Sequence, residues 1–310
     1  MLTAAPAGAQ ASDATEGALF LLLPVGARAV GMGQAMVAER PGSEAVWWNP
    51  AGIARQDKKE VAIHHSQTIA ATGDAITFLY PTASLGSLAL SVNVLNFGDQ
   101  QITDPGGVPV GVVLPRNILL VATYGATIGK RMNAGVTYKR LQYRVDCSGE
   151  CSNVSTFTAT ASAVDFGVQY DLPTESPLTI GAAVRNLGTR LQINDREQAD
   201  PLPTRIEAGA EYKLPFIAAL IADTEVRIAT DVIADRNINN PAVRIGADVA
   251  YEKNIHVRGG YVANDANGAR TALGFGIAAG PLMFDIARTF GGLSADAGQT
   301  PTYLSLRYLF

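Results

Sequence analysis

Ser87–Phe97 reads SLALSVNVLNF. Leu88, Leu90, Val92 and Val94 alternate with Ser87, Ala89, Ser91 and Asn93. In an extended chain this spacing puts an aliphatic row on one face and small or polar groups on the other. The pattern recurs with charges at Thr204–Leu214, where Ile206, Ala208, Ala210 and Tyr212 stand against Arg205, Glu207, Glu211 and Lys213. Val243, Ile245, Ala247 and Val249 oppose Arg244 and Asp248, and Leu304, Leu306, Tyr308 and Phe310 oppose Ser305 and Arg307.

Counted along the chain, about fourteen segments alternate in this way, each close to the length that crosses an outer membrane as a tilted strand. They are expected near 59–70, 74–81, 87–97, 116–128, 131–145, 157–170, 177–187, 204–214, 224–234, 241–251, 254–263, 270–279, 281–290 and 302–310. If the first strand runs outward, every second link is a periplasmic turn, and most of these are short: Gly129-Lys130, Leu172–Ser176, Glu252-Lys253 and Ala279-Gly280. The opposite set holds the longer, more polar links Gly98–Pro115, Asp146–Thr156, Gly188–Pro203 and Gly291–Pro301. Pro215–Asp223 is the exception, a long apolar link on the periplasmic side.

Composition narrows the solvent. Hydrophobic residues make up 47% of 310, yet the longest apolar run considered, Phe216–Ala222 (FIAALIA), is far too short for a membrane-spanning helix. That leaves a soluble all-β protein or a membrane barrel, and the sorting of loops by length selects the barrel. The net charge of −4 gives no reason to expect a nucleic-acid partner. The expected fold is an all-β, antiparallel transmembrane barrel of about 14 strands, in contact with outer-membrane lipid.

Both ends agree with export. Met1–Ala11 reads MLTAAPAGAQA and closes on an A-x-A cleavage pattern, so residues 1–11 are expected to be a signal-peptide remnant. The chain ends on Phe310 after an amphipathic strand, which puts an aromatic ring at the periplasmic interface. Cys147 and Cys151 flank CSGEC. In an exported protein two cysteines so close point to a disulfide; free thiols are the alternative, and a metal site lacks two further soft ligands.

Arg28–Ala54, RAVGMGQAMVAERPGSEAVWWNPAGIA, is the long stretch without strand character. Val30, Gln34 and Val37 are spaced for a short, closely packed helix. Pro41-Gly42 breaks it, Ser43 can cap a second helix, and Asn49-Pro50 ends that one. Trp47 and Trp48 are the only two tryptophans. Residues 12–57 are therefore expected to form a short helical plug in the lumen of a barrel spanning 58–310. Gly31-Met32-Gly33 imitates a dinucleotide-binding turn, but no strand–helix alternation follows it, so close packing is the better reading of these glycines.

GARAVGMGQAMVAE and EAVWWNPAG resemble the N-terminal signature of the PorV/PorQ family, through Gly26, Ala27, Arg28, Gly31, Met32, Gly33, Ala35, Asn49, Pro50, Ala51 and Gly52. That family is similar to FadL-type outer-membrane transporters. The resemblance implies an N-terminal hatch with an Asn-Pro-Ala motif inside a 14-stranded barrel of the bacterial outer membrane. It also implies type IX secretion, with secretion-system or surface proteins as partners.

Alternation points Asp165, Arg185, Arg205, Glu207, Glu211, Lys213, Arg227, Asp231, Arg244, Asp248, Arg258, Asp285 and Arg307 into the lumen. Buried charges of both signs need partners across the wall or on the plug, where Arg28 and Glu44 are available. A polar lumen of this kind needs no specific substrate. Catalysis finds no support: adjacent His64 and His65 face opposite ways on a strand, His256 stands alone, and no nucleophile elbow, zinc pair or phosphate loop occurs. Neither a cofactor nor a metal is expected. Two functions remain. One is a non-enzymatic part in protein secretion or surface attachment. The other is a FadL-like channel for a hydrophobic small molecule, which needs a continuous apolar pocket.

Overall fold

A computed structural model describes residues 16–82, 84–151, 156–173, 177–192, 199–235, 241–263, 269–292, 298 and 300–310. The expected cleavage site at residues 9–11 lies outside them.

Strands β1 (Glu60–Gln67), β2 (Thr72–Thr82), β3 (Gly86–Asn96), β4 (Gln100–Thr103), β5 (Pro109–Ile128), β6 (Met132–Gly149), β7 (Phe157–Asp171) and β8 (Leu178–Gly188) form the first half. The second half is β9 (Arg205–Lys213), β10 (Thr224–Asp235), β11 (Ala242–Tyr251), β12 (Ile255–Ala263), β13 (Arg270–Ala279), β14 (Leu282–Gly291) and β15 (Thr302–Leu309). Sequential neighbours pair antiparallel except β3 and β4, since β3 pairs with β5 instead. The sheet closes where β1 meets β15, with Val61 opposite Tyr308, and where β3 meets β5, with Ser91 opposite Val121. Fourteen strands thus make a closed barrel, and β4 is a short extra strand paired to the outer end of β5. Closure leaves the barrel wall without an edge, as backbone surrounded by hydrocarbon requires.

Two links differ from expectation. The stretch 98–115 contains β4 and the start of β5, and β6 continues past residue 145 to Gly149. The β5–β6 ladder, Val113 opposite Cys147 among its pairs, therefore rises above the barrel as a hairpin. Period-two patterning fades there because the hairpin has no lipid on one side and no lumen on the other.

The two faces of β3 divide as its alternation demands. Leu88 and Leu90 are 50% and 64% exposed, whereas Ser87 and Ser91 are buried. Ile206, Ile245, Val249, Leu306 and Tyr308 are likewise on the outside. Phe310 pairs through its backbone with Lys59, ahead of β1, at the end that carries the short turns. The apolar link 215–223 holds a short helix, α1 (Pro215–Leu220).

The described residues ahead of β1, from residue 16 on, fill the lumen from the loop end to the turn end. Helical turns occupy Leu19–Leu22, Ala27–Gly31, Gly42–Trp47 and Pro50–Ile53. The helix expected through Val37 stops after one turn, because Gly33 and Gln34 take positive φ of 60° and 65°. Ser43 does not cap the second turn; its hydroxyl donates to Glu60 Oε1 at 2.6 Å, so it ties the plug to β1 instead. Asn49 begins a new turn rather than only ending one: its side chain accepts from the Ala51 N–H, and Pro50 supplies the first helical position.

Candidate functional site

The lumen is built around glycines. Gly125, Gly135 and Gly167 stand side by side on β5, β6 and β7. A Cβ at Gly135 or Gly167 would overlap Pro50 or Asn49, and one at Gly125 would lie 3.0 Å from the Pro50 carbonyl oxygen. Across the barrel, Gly246 and Gly260 pair on β11 and β12, and a Cβ there would overlap Met32 or Gly33. Gly181 faces the Val37 carbonyl, and a Cβ at Gly274 would lie 3.0 Å from the Gly31 Cα. This glycine girdle lets the plug backbone lie directly against the wall. Each glycine is unremarkable in the sequence; only the strand register collects them into a ring.

Polar anchors fix the seated segment. The Asn49 carboxamide donates to the Val37 carbonyl at 2.7 Å and approaches the Val168 and Ala182 carbonyls of β7 and β8 at 3.3 and 3.5 Å. Its oxygen accepts from Ala51 N–H at 3.0 Å. Gln169 donates to the Val37 and Glu39 carbonyls, while Asp231 accepts from the Met36 and Val37 N–H groups at 2.6 and 3.1 Å. Arg307 donates to the Pro41 carbonyl at 2.6 Å, and Ala27 N–H donates to Ser305 Oγ at 2.8 Å. At the turn end Arg40 and Arg55 share Asp171, at 2.5 and 2.8 Å.

The charges read as lumenal fall into three groups. Asp165 pairs with Lys139 at 2.6 Å, Arg185 with Glu207 at 2.5 Å, and Arg258 with Asp285 at 2.6 Å, all buried within the wall. Asp248 accepts from buried His256 and lies 3.4 Å from Arg258. Others meet the N-terminal segment: Arg185 donates to the Trp47 carbonyl at 2.8 Å, Arg244 to Gln34 at 3.4 Å, and Arg205 pairs with Glu16 at 2.8 Å. At the turn end Arg227 pairs with Glu225, which Lys213 approaches at 3.9 Å. Glu211 is buried on the same face as Glu207. The plug's own charges behave otherwise than expected. Arg28 pairs with Glu39 inside the plug at 2.6 Å, not with the wall. Glu44 is fully buried beside Gly26, and both its oxygens lack a hydrogen-bond partner. Burial pushes its carboxyl up to about 7, with Arg307 opposing the shift and Asp285 adding to it.

Trp47 and Trp48 are buried against the wall. Trp48 donates to the Val25 carbonyl at 3.1 Å and lies under the guanidinium groups of Arg185 and Arg244, at 5.3 and 5.8 Å. Two small cavities flanking the segment, one beside His64 and Asn93 and one beside Trp47 and Arg185, have volumes of only about 10 and 20 Å³. A wider pocket of about 410 Å³ opens at the loop end, lined by Leu19, Phe20, Phe97, Tyr143 and Leu191. Outside the lumen, Cys147 and Cys151 form a disulfide on the β5–β6 hairpin. His64 is buried against Ser305 at 2.8 Å, while His65 faces outward to Asp74 at 2.7 Å. Among the described residues no group of three or more His, Cys, Asp or Glu side chains could hold a metal ion.

A family model described as "Type IX secretion system protein PorV" matches residues 7–242. Among curated proteins none matches in sequence. Solved structures share the fold at low identity. The Pseudomonas putida toluene transporter TodX superposes with a TM-score of 0.57 at 11% identity, over 91% of this chain and 95% of that one. The Ralstonia pickettii toluene transporter TbuX gives 0.53 at 13%, over 92% and 96%. A Pseudomonas aeruginosa FadL homologue gives 0.52 at 10%, over 93% and 98%.

Proposed function

The chain belongs to the PorV family of type IX secretion system proteins, and we propose that it serves protein secretion or surface attachment as a non-enzymatic barrel of the bacterial outer membrane. In this reading residues 12–57 are a plug and 58–310 the barrel, and the partners are secretion-system or surface proteins. The observation that carries the reading, beyond the family itself, is the filled lumen. The plug backbone lies against a ring of glycines and the flanking cavities have volumes of about 10 and 20 Å³, so the barrel offers partners its outer surfaces rather than a passage. The raised ends of β5 and β6, with the disulfide that closes the turn after β6, are one such surface.

The test is a strain lacking this chain. Cargo destined for the cell surface should accumulate in the periplasm, and restoring the intact chain should return it to the surface. Normal surface display without the chain would refute the role. A second reading, a channel for hydrophobic small molecules, draws on the apolar pocket of about 410 Å³ at the mouth and on the fold shared with toluene transporters. The same strain separates the two: impaired uptake of a labelled aromatic hydrocarbon, with secretion intact, would favour the channel.

A further inference from the structure

The outward face of the barrel changes character between β5 and β7. Val136 and Tyr138 of β6 and Phe166 and Val168 of β7 are apolar and exposed. Above them, at the same outward parity, stand Arg140, Gln142 and Arg144 of β6 and Thr158, Thr160 and Ser162 of β7. Arg116 of β5 lies directly opposite Arg144 and is exposed. Three arginines therefore share one outward patch. Arg140 donates to the neutral hydroxyls of Ser162 and Thr160, at 3.1 and 2.9 Å, so its charge is not offset there. The carboxylate on this face is Asp146, bound to Arg144 at 2.7 Å; β5 contributes no acidic residue.

Position along the strand gives the depth. Counting from Met132 at the periplasmic turn, Arg140 stands about 20 Å and Arg144 about 30 Å up a strand tilted by ~40°. The apolar band of an outer-membrane barrel is about 25 Å tall. The arginines thus bracket the plane where outer-leaflet head groups lie. Below Arg140 the wall is hollowed: Ala122 sits between Leu90 and Tyr138, in a groove of about 440 Å³ also walled by Phe78 and Tyr124. The walls are held in place, since Tyr124 donates to the Leu85 carbonyl at 2.6 Å and Tyr138 shares a 3.0 Å hydrogen bond with Ser162. The rows of Arg140 and Ala122 are separated by two residues, roughly 7 Å along the strand.

We propose that this face is a binding site for a phosphorylated glycolipid of the outer leaflet, with phosphate on Arg116, Arg140 and Arg144 and an acyl chain in the groove at Ala122. Guanidinium groups pair with phosphate oxygens bidentately, and an acyl chain covers apolar wall that ordinary annular lipid would leave loosely packed. A small anion would use the arginines and leave the groove empty. The combination selects a lipid that carries both charges and chains.

Native mass spectrometry of the detergent-extracted barrel, titrated with bis-phosphorylated lipid A, dephosphorylated lipid A and phosphatidylglycerol, tests this. The first should bind in preference to the other two. Arg116→Gln/Arg140→Gln should weaken it by about tenfold or more, the loss expected for one or two charge-assisted contacts, and Ala122→Trp, which fills the groove, should separately weaken it by a similar factor. Heat-modifiable gel mobility verifies that each variant is a folded barrel, and the two variants fail independently. Undiminished binding in both, or equal binding of phosphatidylglycerol, would overturn the assignment. So would loss of a copurifying protein from the variants while lipid A binding stays intact, which would give the patch to a protein instead.

Discussion

A carboxamide at position 49 holds three backbone segments together: the bend at Val37 in the plug, the turn at Ala51, and the carbonyl edge of β7 and β8. At this scale the wall glycines matter as much. Gly135→Ala places a methyl group into the Pro50 backbone, which cannot move aside like a side chain end, so the seated plug should lose about 1–3 kcal/mol. Gly259→Ala, where a Cβ meets nothing within 4 Å, is the matched control. Acrylamide quenching of Trp47 and Trp48 should rise in the first variant and not in the second. Glu44 adds a pH dependence. Its carboxyl is raised from 4.5 to about 7 only while buried, so the seated plug holds a proton that a released plug gives up. Seating is strongest below about pH 4.5, weakens as pH rises to about 7, and is level above that. Tryptophan quenching should follow this course in the native barrel, and Glu44→Gln should reduce its amplitude. An unchanged profile in the variant would remove Glu44 from the account.

Among the elements, β3 gives the cleanest measurement of which face meets lipid. Leu90→Arg should cost about 2–4 kcal/mol of barrel stability, because it puts a charge into hydrocarbon, whereas Leu90→Met, still apolar, should cost much less. Equal costs would contradict the assignment of faces. For the β5–β6 hairpin, intact mass should rise by two hydrogens on reduction, and unreduced folded protein should resist alkylation at Cys147 and Cys151. Alkylation of both would refute the disulfide. The strands were legible because lipid outside and lumen inside impose a period of two on every one of them, and the turns because the barrel sorts its links by side. β4 and the outer ends of β5 and β6 carry no such pattern, since no two-sided solvent acts on them. The helix expected through Val37 failed for a different reason: residues 33 and 34 bend the chain into left-handed conformations that bring it against Gly246 and Gly260. Cross-strand register of this kind cannot be read from a single line of residues, which is also why Gly125, Gly135 and Gly167 were invisible as a group. The Asn49-Pro50 turn was visible, but its bonds to β7 and β8 depend on that same register.

The whole molecule is a closed barrel with the described residues ahead of β1, from residue 16 on, inside it; the wall charges mostly satisfy one another, and the plug backbone lies against the wall glycines. A broken wall pair would leave a buried charge, which costs several kcal/mol; the plug is instead held by many smaller bonds that can be loosened without dismantling the wall. The proposed role, in which partners meet the outer surfaces and loops, rests on that lumen staying shut. Single-barrel conductance in planar bilayers tests this most directly. The intact protein should be silent, and the Asn49→Ala/Pro50→Ala variant, still running as a folded barrel on a heat-modifiable gel, should open to a steady ionic current. A large steady current through the intact protein, or silence in a variant that remains folded, would contradict the account.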